Sequence, residues 1–236
     1  MHQGMIEAQV SAGCVLFTHS GCSAQRKSDA ADCVLYMQMA ATKKHPRFTA
    51  TSAWNDTWLA AFNRFGWVLK THEALACPSA ELGPGSVWAW IKKTLPAFIP
   101  ADLLFAAEST AWQSLLSYPD QPAIERLASE ALEPVTVGIP REAQDGQKVV
   151  LQLGFLDANG ELSMVLMTFT HDSLLKHDFL FEPLQPANII SNVELRFYSL
   201  RLMDLVYSPL RSKISQALED RRSVLVCALR EAGDVH

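Results

Sequence analysis

The sequence predicts an α+β fold. N-terminal helices are expected to pack on a mostly antiparallel sheet formed by the C-terminal half, with a late helix near 200–219. Three observations predict it. Apolar residues recur at helical spacing from Ser28 to Ala131, the pattern of amphipathic helices. From Pro134 onward the pattern becomes alternating, the two-residue period of strands. Asn159-Gly160 lies between two alternating runs and is a strong hairpin signal. Helices first and strands afterwards suggest helices layered on one face of the sheet.

Residues 1–27 are rich in Gly, Ser, Ala, Cys and Gln and show neither period. They read as a loosely ordered leader, and residues 28–236 as a single α+β domain. Ser28 is placed to cap the first helix, with Asp29 and Asp32 in its first turn, the favourable sign for that end. Leu35, Met39 and Thr42 share one face; Lys43, Lys44 and His45 close the helix and Pro46 stops it. A second helix begins at Thr51 or Ser52, with Trp54, Trp58, Leu59, Phe62 and Phe65 on one side and Gly66 as its left-handed stop. Trp54, Trp58 and Trp67 fall within fourteen residues. Their spacing reads as core rather than as a stacking platform. Trp67 and Leu69 then open an extended run.

Gly83-Pro84-Gly85-Ser86 turns into a short helix with Val87, Trp90 and Ile91 inward and Lys92-Lys93 outward. Across 101–117, Leu103, Leu104, Ala107, Ala111, Trp112, Leu115 and Leu116 form a stripe so wide that the helix should be largely buried. Pro122 opens a further helix, with Ile124, Leu127, Ala128 and Ala131 facing in. In the second half, PVTVGIP (134–140) reads as an edge strand because proline brackets it. Val149, Leu151, Leu153 and Phe155 share one face of the next strand, and LSMVLMTFT (162–170) returns. HDFLFEP (177–183) aligns Phe179 with Phe181. In VELRFYS (193–199), Val193, Leu195 and Phe197 oppose Glu194, Arg196 and Tyr198. The set reads as a half-buried antiparallel meander. Leu202, Val206, Leu210, Ile214 and Leu218 are helically spaced, and Pro209 either kinks that helix or restarts it with Ser208 as cap. SVLVCAL (223–229) reads as a last strand.

The run VLYMQMAATKKHPRF (34–48), followed by Trp54, Trp58 and FNRFGWVL (62–69), resembles the opening of a set of small bacterial and fungal proteins of unknown activity. In those, a helix ending in Lys precedes a Trp-containing helix that stops at Gly-Trp-Val. The later meander and YSPLRSKISQAL (207–218) are similar too. The resemblance spans about residues 30–220 and implies a shared fold, with no chemistry to transfer.

Composition excludes several classes. The net charge of −5 is spread thinly over 236 residues, so there is no basic footprint for nucleic acid. Five cysteines with no C-x-x-C argue against a disulfide framework or a zinc ribbon and fit reduced thiols in a cytoplasmic protein. VSAGC (10–14) hints at a lipoprotein cleavage site, but no basic residue or apolar run precedes it. Export by a signal-independent route stays open. No stretch reaches the roughly eighteen apolar residues of a transmembrane helix. Nucleotide motifs are missing and no cofactor is expected.

The candidate site is HDSLLKHD (171–178). As a hairpin connection it would set His171 and His177 across its mouth, with Asp172 and Asp178 orienting the imidazoles or joining a coordination shell. A metal-dependent or acid–base hydrolase is therefore one reading. No third histidine lies nearby, and Leu174 and Leu175 suggest a loop tucked into the body, so no metal is assigned. Gly-x-Ser-x-Gly and His-Glu-x-x-His are absent, and THSGC (18–22) only places a histidine near a thiol. Glu108 interrupts an apolar helix and should face solvent or pair with a neighbour. The leading reading is a non-enzymatic protein that binds a protein partner or an apolar small ligand. Six Trp, eleven Phe and seven Met are enough to leave a surface patch or a cavity. A self-associating subunit is a third reading.

Overall fold

The computed structural model describes residues 6–95, 98–138 and 144–229. The α+β class is observed. Among these residues, eight strands form one sheet: β1 (Ile6–Ser11), β2 (Cys14–His19), β3 (Trp67–Cys77), β4 (Leu132–Val137), β5 (Gln144–Leu156), β6 (Glu161–His171), β7 (Val193–Leu202) and β8 (Val226–Ala228). Their order is β3-β7-β6-β5-β2-β1-β8, with β4 also paired to β5. Every pairing is antiparallel except β2 with β5.

The leader expectation fails for residues 6–27. β1 and β2 make a two-residue hairpin in which Ser11 pairs with Cys14. β2 then lies between β1 and β5, inside the sheet. VSAGC is thus the end of one strand, the Ala12-Gly13 turn and the buried start of the next. Its strand period was masked because β2 is buried on both faces and carries no polar alternation.

Helices cover both sheet faces rather than one. α1 (Ala24–Lys44), α2 (Thr51–Arg64), α6 (Asp204–Tyr207), α7 (Arg211–Ala217) and α8 (Glu219–Leu225) lie on one face. α3 (Val87–Thr94), α4 (Ala101–Ser117) and α5 (Pro122–Ala131) lie on the other. Strand alternation divides the core. Val149, Leu151, Leu153 and Phe155 of β5 belong to one apolar cluster and Val150 and Leu156 to the second. Phe197 and Tyr198 of β7 split the same way, so the meander is buried on both faces.

Several local signals hold. Trp54, Trp58 and Phe62 are core, and Gly66 ends α2 with φ +85°. Asn159-Gly160 closes the β5–β6 hairpin, and the Asp157 carboxylate accepts from the backbone N–H groups of Asn159 and Glu161. Others are corrected. α1 starts five residues earlier than expected, capped by the Ser23 hydroxyl, which accepts from Arg26 N at 3.3 Å. Asp29 and Asp32 are then interior and buried, and hold Arg211 and Arg222 in two-pronged pairs. The late helix breaks into α6, α7 and α8, with a restart after Pro209. In SVLVCAL, Ser223 to Leu225 finish α8, and Val226–Ala228 form the strand that pairs with β1. HDFLFEP is a turn rather than a strand. In PVTVGIP, Ile139 and Pro140 lie outside the described residues.

A buried arginine ties these parts together. Arg47 follows α1, and its guanidinium donates to Gln38 Oε1 (3.1 Å), Gly13 O (3.0 Å) and Val150 O (2.9 Å). It also sits 4.8 Å over the Trp54 ring. Burial holds its pKa down to about 10. One side chain thus joins the α1–α2 corner to the first hairpin and to β5.

Candidate functional site

The HDSLLKHD residues do not converge. His171 ends β6, pairs in register with Gln147 of β5 and bridges Ile189. Its buried ring serves its own turn. Nδ1 accepts from the Ser173 N–H at 3.2 Å and lies 3.7 Å from the Asp172 carboxylate. The chain does not return as a strand until Val193, so His177 is not its cross-strand partner. His177 is exposed, in a turn. With Asp178 it borders a cavity of about 20 Å³ walled by Leu115, Ile124, Leu127 and Phe181. That volume admits about one water and no larger ligand. Leu175 packs against the core as expected, but Leu174 is exposed. Among the described residues, no group of three His, Cys, Asp or Glu side chains is placed to hold a metal.

The remaining reactive candidates are similarly occupied. His19 Nδ1 accepts from Gly21 N at 3.0 Å, and burial pushes the Cys22 thiol pKa up, the opposite of an activated nucleophile. Glu108 binds Lys92 at 2.9 and 3.0 Å, one of the two outcomes expected for it.

The conspicuous feature is on α4, where the expectation of a largely buried helix fails. Leu103, Leu104, Ala107, Ala111 and Ser114 face the core. Phe105, Trp112 and Leu116 face outward, exposed by 70%, 43% and 62%. The stripe was too wide for one contact, because the sheet accepts only one side of a helix. No signal in the sequence says which half is left outside. Trp112 is nonetheless held in place. Its ring meets Phe181 edge-on at 5.0 Å, Phe181 stacks on Trp88 at 5.5 Å, and Trp88 meets Phe17 of β2 at 5.8 Å. The turn that carries Phe181 is the one that follows HDSLLKHD. On this evidence that segment braces α4.

Wider grooves lie elsewhere among the described residues. One of about 580 Å³ runs between the end of β3 and α3, lined mainly by Leu75, Cys77, Leu82, Trp90, Val193 and Leu195. Another, of about 620 Å³, lies between β1, β8 and α1 and includes Lys27, Asp32 and Arg222. Its charges already pair within the protein, Lys27 with Glu7 and Arg222 with Asp32. Among the described residues, no helix is long and apolar enough to cross a membrane.

No family model matches the chain, and no curated protein matches its sequence. In structure it is similar to a delta-endotoxin, with a TM-score of 0.44 and 9% identity over 80% of this chain and 81% of that one. It is similar to the activated Cyt2Ba monomer from Bacillus thuringiensis subsp. israelensis, with a TM-score of 0.38 and 12% identity over 80% and 97% of the two chains. It is also similar to the Evf virulence factor, with a TM-score of 0.34 and 8% identity over 86% and 77%. Likeness at this level leaves the function open.

Proposed function

We propose that this protein acts without catalysis, by binding a partner protein, and that the outer face of α4 is its docking surface. The observation that carries the reading is the solvent-facing row of Phe105, Trp112 and Leu116 on a helix whose other side is already packed. A Phe side chain offers about 150–250 Å². With Phe105 70% exposed, covering it removes roughly 100–175 Å² from water. That contributes about 2.5–4 kcal/mol before the costs of association. Large aromatics held rigidly by their neighbours are the side chains that dominate protein interfaces, and the ring contacts from Trp112 down to the sheet supply that rigidity.

A photo-crosslinking residue placed at Phe105, with a control at exposed Glu219 on α8, tests the reading in cells that make the protein. Adducts specific to the α4 position, lost when Leu116→Glu is added, are expected. The same adducts from both positions would count against it.

The apolar groove beside Trp90 favours a second reading, an apolar small ligand. Native mass spectrometry of gently purified protein tests it. A co-purifying amphiphile, displaced by Leu195→Trp, is the expected result if the groove is a ligand site.

A further inference from the structure

We infer that the partner at α4 is a second copy of the chain, docked α4 against α4 in antiparallel register. The inference rests on α4 being the docking surface. Its first support is spacing. Phe105, Ser109, Trp112 and Leu116 are separated by four, three and four residues, the repeat that keeps a seam facing another helix. The residues that α4 buries in its own protein, Leu103, Leu104, Ala107, Ala111 and Ser114, lie on the other side. The helix therefore presents two separate faces, and only one is used within the chain.

The second support is self-complementarity of size and charge. Take a twofold axis passing between Thr110 and Ala111. Phe105 then meets the second copy's Leu116, and Ser109 meets the second copy's Trp112. The axis repeats each pair, giving four layers. The largest ring faces the smallest side chain, as interdigitated packing requires. No seam residue is charged. Asp102 falls beyond the last layer, and Glu108 is neutralised by Lys92 of its own chain. Antiparallel alignment also sets each helix dipole against an opposed one.

Area sets the strength. At 70%, 43% and 62% exposure, Phe105, Trp112 and Leu116 together offer roughly 350 Å² per copy. Two copies give roughly 700 Å², short of the about 1,000 Å² of a lasting interface. Exposed Gln113, beside Trp112, adds to this at the margin. The dimer is accordingly weak and concentration-dependent.

Sedimentation velocity from about 5 to 500 µM tests this. The wild-type mass should rise from one copy to two across that range. Phe105→Lys and Leu116→Glu should each weaken association at least about tenfold, with unchanged melting temperatures because both side chains are at the surface. An equimolar mixture of the two variants should regain part of the affinity. In the mixed dimer the introduced lysine faces the introduced glutamate, while the native Phe105 and Leu116 meet at the other end. A single-copy mass at every concentration overturns the second copy. It leaves α4 as a docking surface if crosslinking from Phe105 persists, and removes both readings if that crosslinking is also absent. A dimer insensitive to both single variants places self-association elsewhere and overturns the inference. Failure of the mixture to recover overturns the antiparallel register.

Discussion

Gly13→Ala should destabilise this protein far more than a glycine-to-alanine change in a turn usually does. The cause is space rather than backbone strain. φ at Gly13 is outside the left-handed region, whereas Ala12 before it takes φ 49°. A Cβ on Gly13 would sit 2.0 Å from Arg47 Nη1 and 2.5 Å from Cζ. Contacts under 3.0 Å do not survive, so the guanidinium must move by about an ångström or more. It cannot do so freely, because it is pinned by Gly13 O, Val150 O and Gln38 Oε1. Hydrogen bonds to a charged group contribute about 1.5–3 kcal/mol each. Losing two costs about 3–6 kcal/mol, a large share of the about 5–15 kcal/mol that holds a domain folded. Urea melts followed by tryptophan fluorescence measure the loss. The decisive comparison is the same substitution in an Arg47→Met background, where the obstacle is gone. There Gly13→Ala should cost less than about 1 kcal/mol. An equal cost in both backgrounds would refute the reasoning, as would a loss under about 1 kcal/mol in the wild type.

Other consequences follow from the same geometry. Asp29→Ala removes the carboxylate that holds Arg211 at 2.8 and 2.9 Å. It should cost about 2–4 kcal/mol and raise hydrogen exchange in residues 204–225 before the sheet opens. Burial pushes the Cys14 and Cys33 thiols up to about 12 from 9.0. Both pKa values are higher folded than unfolded, so their stabilising effect is complete below about pH 9 and fades as pH climbs toward 12. Each thiol should cost about 1.4 kcal/mol per pH unit in that window, and Cys14→Ala with Cys33→Ala should flatten the slope in urea melts. A thiol reagent at pH 8 should modify half-exposed Cys77 and Cys227 well before Cys14 and Cys33. His177→Ala should change stability by less than about 0.5 kcal/mol, while His171→Ala, which empties a buried turn, should cost about 1–2 kcal/mol by thermal melting.

The two halves of the chain were not equally legible. Phe62, Gly66 and Trp67 announce a helix, its stop and a strand because each signal is local: apolar period, positive φ, then alternation. Asn159-Gly160 is local in the same way. The first hairpin was unreadable for the opposite reason. Cys14, Val15, Leu16 and Phe17 are buried on both faces, and a strand without a polar side has no alternation to detect. The candidate loop was misjudged because its hairpin geometry presumed a strand at 177–183. Proline at 183 and the packing of Phe179 and Phe181 against α3 and α4 bend that segment into a turn instead.

By itself, then, the sequence determined the α+β class, the bounds of α4 and the start of α5, the β5–β6 hairpin and the aromatic core under α2. Those features depend on neighbours within a few residues, where dihedral preference and side-chain period act directly. Only the tertiary structure decided that helices cover both sheet faces, that residues 6–19 are sheet strands, and that Asp29, Asp32 and Arg47 find partners far along the chain. It also decided that Phe105, Trp112 and Leu116 stay outside. A helix with apolar residues on most of its circumference can satisfy only as many as the surface it rests on will cover, and that surface is assembled from strands distant in sequence.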